Sequence, residues 1–95
     1  MADSFHLLVV APGRTVYDGK AVSAIMPAAE GMMGVLPGHA PFFGTLKSGT
    51  VSAQPDSSAS QPLSVNISGG IAHVLPDEVT IVADSIVEAK PRATG

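Results

Sequence analysis

The three histidines, His6, His39 and His73, are the residues in this 95-residue sequence whose side chains could do the most chemistry. Gathered together they would make a metal site, and any one of them beside a carboxylate would make a general base. Their spacing argues against both. His39 is bracketed by Pro37-Gly38 and Ala40-Pro41, with no second histidine or acid close to it. His6 and His73 fall in strand-like runs, so a three-histidine site would have to be assembled by folding alone. A structural task suits His39 better, because its ring can hydrogen-bond to loop carbonyls and pin a turn. The acids nearest to interesting segments, Glu30, Asp77, Glu78 and Asp84, read as turn tips or solvated faces rather than as an acid–base pair. Ser68-Gly69-Gly70 lacks the Gly-x-Ser-x-Gly pattern of a nucleophile elbow. Lys47-Ser48, behind Gly44-Thr45-Leu46, has neither the spacing nor the following helix of a phosphate-binding loop. The residues therefore call for no enzyme, no cofactor and no metal.

The informative stretch is Gly31 to Leu46, GMMGVLPGHAPFFGTL. Seven of its sixteen positions are large and apolar (Met32, Met33, Val35, Leu36, Phe42, Phe43 and Leu46), four are Gly and two are Pro. A helix would lose roughly 1 kcal/mol at each interior Gly and about 3 kcal/mol at each Pro, so this is not a helix. It also lacks the polarity of a solvated loop. An irregular backbone is seldom fully buried, because its N–H and C=O groups need partners, so the apolar side chains divide between a core and a partner surface. Two readings compete. In one, short strands and tight turns point every side chain inward. In the other, part of the segment is an exposed apolar patch of the kind that marks an interface, and the thioethers of Met32 and Met33 suit an adaptable contact. Glu30 is the one charged residue between positions 21 and 46.

The elements around this stretch are strands. Val and Ile number 16 against 6 Leu, Gly and Pro add 18, and 13 residues are charged, a balance that disfavours a helical bundle. The 45% apolar content disfavours disorder, and the absence of Cys excludes disulfides and zinc–thiolate sites. With a net charge of −3 and five scattered basic residues there is no patch for nucleic acid. No signal peptide and no apolar run of about 20 residues is present, so the chain reads as a soluble protein of a reducing compartment. Phe5–Val10 is a nearly continuous apolar run, either buried on both faces or meeting something with its outer face. Pro12-Gly13 is a turn, and Asp18-Gly19 predicts a hairpin between Thr15–Tyr17 and Lys20–Met26, which Pro27 stops. Further strands are expected at Gly49–Gln54, Leu63–Ile67, Ile71–Leu75 and Val79–Ala83, with Ser85–Ala89 finishing the last. A polar loop spans 54–62, and Gly69-Gly70 marks a bulge or a close backbone approach. The fold class is all-β: an antiparallel β-sandwich or flattened barrel of about ten short strands, one domain over residues 1–89 and a tail at 90–95.

Four segments carry a resemblance: FHLLVV at 5–10, GVLPGHAP at 34–41, SGGIAHV at 68–74 and VTIVAD at 79–84. In that order and spacing they resemble the epsilon subunit of F-type ATP synthases over about residues 5 to 88, with Leu-Pro-Gly-His-Ala-Pro the specific element. The resemblance implies an N-terminal β-sandwich at the foot of the central stalk, against the gamma subunit and the c-ring, turning with the rotor and coupling ion (proton) flow to ATP synthesis without catalysing anything itself. It implies a place on the cytoplasmic face of a bacterial plasma membrane, reached only through the complex, and no obligate homo-oligomer.

The resemblance also implies site residues. Glu30, Met32, Met33 and His39 are the expected contacts, with Phe42 and Phe43 split between the core and gamma. Gly31, Gly34, Pro37, Gly38, Pro41, Gly69 and Gly70 are the expected structural turns. The family often carries an acidic residue where Met32 stands, so an apolar contact is expected there and Glu30 is the remaining charge. Relatives continue into a C-terminal helical hairpin, whereas the sequence ends at Gly95. Neither the hairpin's inhibitory extension nor any nucleotide binding by it is expected. The reading from another class is a stand-alone β-sandwich that binds a small ligand or peptide through the face of 31–46.

Overall fold

A computed structural model of the chain describes residues 4–56 and 61–87. Nine strands make up these residues: β1 Phe5–Ala11, β2 Arg14–Ala28, β3 Gly31–Val35, β4 Phe42–Leu46, β5 Gly49–Pro55, β6 Leu63–Ile67, β7 Gly70–Leu75, β8 Glu78–Ala83 and β9 Ile86–Val87. Hydrogen bonding follows the order β1-β8-β7-β4-β2-β5-β6-β9, with β3 on β2 and a further β1–β2 pairing. The long β2 joins two layers. Its first half runs antiparallel to β1, and its second half pairs with β3 and β5, with a register irregularity between Ala21 and Ser23. This is the expected all-β sandwich, with one departure. β1 and β8 pair in parallel, from His6↔Glu78 to Val10↔Val82.

Alternation builds the core. Phe5, Leu7, Val9 and Ala11 of β1 face inward, with Ala72 and Val74 of β7 and Val79, Ile81 and Ala83 of β8. From the other layer come Ala24 and Met26 of β2, Val35 of β3, Val51 and Ala53 of β5, and Val65 and Ile67 of β6. These side chains form one cluster, which Val16, Tyr17, Met33, Phe42, Leu63 and Ile86 flank half-buried. Small residues are frequent on the inner faces, which lets two twisted layers close without a large core.

Three local expectations are corrected. Asp18-Gly19 makes no turn: both residues lie inside β2, opposite Leu8 and Leu7 of β1. The hairpin closes earlier, at Pro12-Gly13, where Gly13 takes φ 78° and Ala11 pairs with Arg14. Proline followed by a glycine at positive φ is the chemistry of a type II turn, so the earlier signal wins. Pro27 does not stop the strand. It pairs with Met32 and its carbonyl accepts the Lys47 N–H at 2.8 Å, while its missing N–H falls beyond the β2–β5 ladder, which ends at Ile25↔Ser52. Gly34 is not at a turn but inside β3, paired with Ile25, because the register of β2 and β3 runs unbroken from Gly31 to Val35. Residues 57–60 of the polar loop, Glu88 and Ala89 of the last predicted strand and the tail at 90–95 lie outside the described residues.

Candidate interaction face and groove

The apolar ribbon becomes two five-residue strands, β3 and β4, with the same burial alternation. Val35 and Leu46 enter the core, Met33 and Phe42 pack half-buried against it, and Met32, Leu36 and Phe43 stay exposed at 63%, 63% and 70%. The side chains thus divide between inside and outside, because a strand presents alternate residues to opposite faces.

β3 and β4 lie at a gap between the two layers. β4 touches β2 through a single register pair, Ala28↔Leu46, and otherwise pairs with β7. A groove of about 420 Å³ lies in that gap, lined by the turn Ala28–Gly31, Met32, Met33 and Phe42–Thr45. Five of the expected contacts, Glu30, Met32, Met33, Phe42 and Phe43, therefore surround one groove. Glu30 is exposed at the β2–β3 turn, where Gly31 takes φ 135° and the Ala29 N–H donates to the Thr45 carbonyl at 3.1 Å. The Phe42 ring lies over Gly44, where an added Cβ would stand 2.6 Å from it.

His39 is not among the residues of the groove. It sits half-buried in the loop between β3 and β4, after the turn Pro37-Gly38, with Pro41 leading into β4. Its backbone N–H donates to the Leu36 carbonyl at 3.1 Å, and the Gly38 N–H donates to Pro76 in the β7–β8 turn at 2.8 Å. The loop is thus tied to that turn by main chain. His6 and His73 lie on β1 and β7, and no cluster of three metal-ligating side chains occurs among the described residues.

The outer face of the β4-β7-β8-β1 layer is the feature that site reasoning from the sequence missed. Its register rows are Phe43–His73–Thr80–Leu8 and Thr45–Ile71–Val82–Val10. Both rows are uncharged, and Ile71 and Val82 are 43% and 46% exposed. The outer face of the other layer carries Thr50, Ser52, Ser64 and Asn66, with Thr50 Oγ1 donating to Asn66 Oδ1 at 2.6 Å. That face also exposes Ile25 and Val87, each at 47%, but intersperses them with these hydroxyl and amide side chains, whereas the two rows of the β4-β7-β8-β1 face run apolar side chains together. The signal was present in FHLLVV, since a run apolar at both parities must expose one of its faces unless something covers it. Arrangements of this kind can dock a partner, and they supply no nucleophile, acid–base pair or metal.

Comparison with known proteins places this arrangement. A family model described as ATP synthase, Delta/Epsilon chain, beta-sandwich domain matches residues 4–89. The ATP synthase epsilon chain of Thioalkalivibrio sulfidiphilus is 38% identical over 90 residues, which are 95% of this chain and 63% of that protein. That of Desulforapulum autotrophicum is 40% identical over 85 residues, 90% of this chain and 62% of that protein. The chain thus spans less than two thirds of the length of these relatives. Among solved structures, a chain of the Euglena gracilis mitochondrial ATP synthase, OSCP/F1/c-ring, superposes with a TM-score of 0.81 over 92% of this chain and 54% of its own length, at 24% identity. One from the Tetrahymena thermophila mitochondrial ATP synthase central stalk/c-ring does so at 0.75 over 95% and 71%, at 14% identity, a likeness of fold. On the family match and the relatives together, the chain belongs to the beta-sandwich domain family of ATP synthase delta/epsilon chains.

Proposed function

We propose that the chain serves as a non-catalytic rotor subunit in the central stalk of an F-type ATP synthase, linking the gamma subunit to the c-ring and coupling ion (proton) flow to ATP synthesis. The observation that carries this reading is the pair of uncharged, largely apolar rows on the outer face of β1, β8, β7 and β4 in a chain of this family. Its Leu8, Val10, Phe43, Ile71 and Val82 are a surface that a monomer in water has no reason to keep. Gamma covers this face. The groove edge with Glu30 and Met32 turns toward the loops of the c-ring, and His39 holds the neighbouring loop at the opposite end of β4. Contact with the membrane is through the complex, at the cytoplasmic face of a bacterial plasma membrane. No helix among the described residues is long and apolar enough to cross a bilayer. The stand-alone ligand-binding reading is weaker, because the relatives named above are ATP synthase epsilon chains.

The test is co-purification with a tagged gamma subunit. A stoichiometric complex is expected, and serine at Phe43, Ile71 and Val82 together is expected to abolish it while the isolated chain keeps its thermal melt. Undiminished capture of the triple variant would remove gamma from this face.

A further inference from the structure

One titratable ring stands in the middle of the apolar face. His73 on β7 is exposed and meets Phe43 of β4 edge to face, with ring centroids 5.5 Å apart and planes at 86°. In the other direction its register partner is Thr80 of β8, which stands opposite Leu8 of β1. The neighbouring row, Thr45, Ile71, Val82 and Val10, carries no charge. The ionisable groups of the face lie at its margin. Glu78 of β8 stands opposite Leu75, diagonal to His73, and next to it comes His6 of β1. Lys20 of β2 faces His6, and Asp18 of β2 ends the row of His73 beyond Leu8. Asp18 is engaged by His6, at 2.6 Å between Oδ1 and Nε2. Lys47 follows the end of β4. No ion pair joins His73 to a carboxylate among the described residues.

We infer that His73 makes docking on this face sensitive to pH, the partner closing over a neutral imidazole and leaving when the ring is protonated. The inference rests on the reading that this face receives the gamma subunit. Neutral imidazole can be covered if one ring nitrogen finds a partner, and its apolar flank already packs on Phe43. An imidazolium held between Phe43, Ile71 and Thr80 would lose its water and gain no counter-charge from its own row until Asp18, three strands away. The sign follows. Docking favours the deprotonated ring, so affinity falls when acidification protonates it. Where the ring of the free chain is protonated, a partner that accepts only the neutral ring loses about tenfold in affinity per pH unit.

The experiment follows the affinity of the chain for purified gamma subunit between about pH 8 and pH 5.5. The thermal melt of the chain alone is recorded at both ends. The expected result is an affinity that falls on acidification, by up to about tenfold per pH unit, for the unaltered chain and for His6→Gln. His73→Gln, whatever its affinity at pH 8, is expected to show a flat profile. A flat profile in the unaltered chain overturns the inference and leaves the docking face standing. So does a slope that survives in His73→Gln, an affinity that rises on acidification through pairing with Glu78, or a loss that tracks unfolding of the chain. Absence of binding at pH 8 overturns the docking reading itself, and this inference with it.

Discussion

Gly70 and Val82 are held closer than any other residue at position 70 would permit. A Cβ built on Gly70 would stand 2.2 Å from the Val82 carbonyl oxygen, and the backbone there has φ 157°. The obstacle is main chain of the paired strand β8, so no rotamer change relieves it. Alanine at position 70 is expected to lower stability by roughly 2–4 kcal/mol, the cost of strain and separation in one sheet. Urea unfolding of Gly70→Ala checks this, and an unchanged midpoint would mean that the two strands can part freely.

Leu7 is wholly buried in the middle of β1, between β2 on one side and β8 on the other. Leu7→Ala is expected to cost about 2–5 kcal/mol through lost burial and the void left behind. A domain of this length holds only about 5–14 kcal/mol in all, so calorimetry should find the variant near the edge of folding.

Met32 is exposed on the edge strand β3 and packs no core. Met32→Asp is expected to leave the melt of the isolated chain within about 0.5 kcal/mol, as surface changes do. The same variant should weaken its assembly with gamma and the c-ring. Native electrophoresis of the reconstituted stalk beside a thermal melt separates the two, and a collapsed melt would return Met32 to a structural task.

His6 Nε2 and Asp18 Oδ1 lie at hydrogen-bond distance across β1 and β2, 2.6 Å apart, with side chains 51% and 58% exposed. Short geometry does not make this pair strong in water. A double-mutant cycle with His6→Ala and Asp18→Ala is expected to give a coupling of no more than about 1 kcal/mol.

What could be read in advance follows from how local each signal is. Leu63–Ile67 alternates cleanly because one face is core and the other carries Ser and Asn, and the strand forms as read. Gly69-Gly70 was legible as a close approach because only glycine tolerates one there. Asp18-Gly19 misled because a turn signal has no force where a neighbouring strand already pairs both residues. The parallel seam of β1 and β8 leaves no mark in either segment, since pairing partners far apart in sequence are chosen by the whole sandwich. The gathering of Met32, Met33, Phe42 and Phe43 around one groove was half legible: their composition announced a divided surface, but β4's pairing with β7 sets which of them face out. Ile71, His73 and Val82 were hidden as ordinary strand residues, because a site spread over four strands has no contiguous spelling.

The parallel seam has a consequence for synthesis. Leu8 stands beside Thr80, so β1 waits for β8, seven strands further along the chain, before its second edge is closed. Topologies dominated by such distant pairings mature in about milliseconds to seconds, well behind helical proteins of equal size. Until β8 has been made, the segment FHLLVV is a greasy edge with one neighbour, and it is there that a nascent chain of this kind would call on a chaperone.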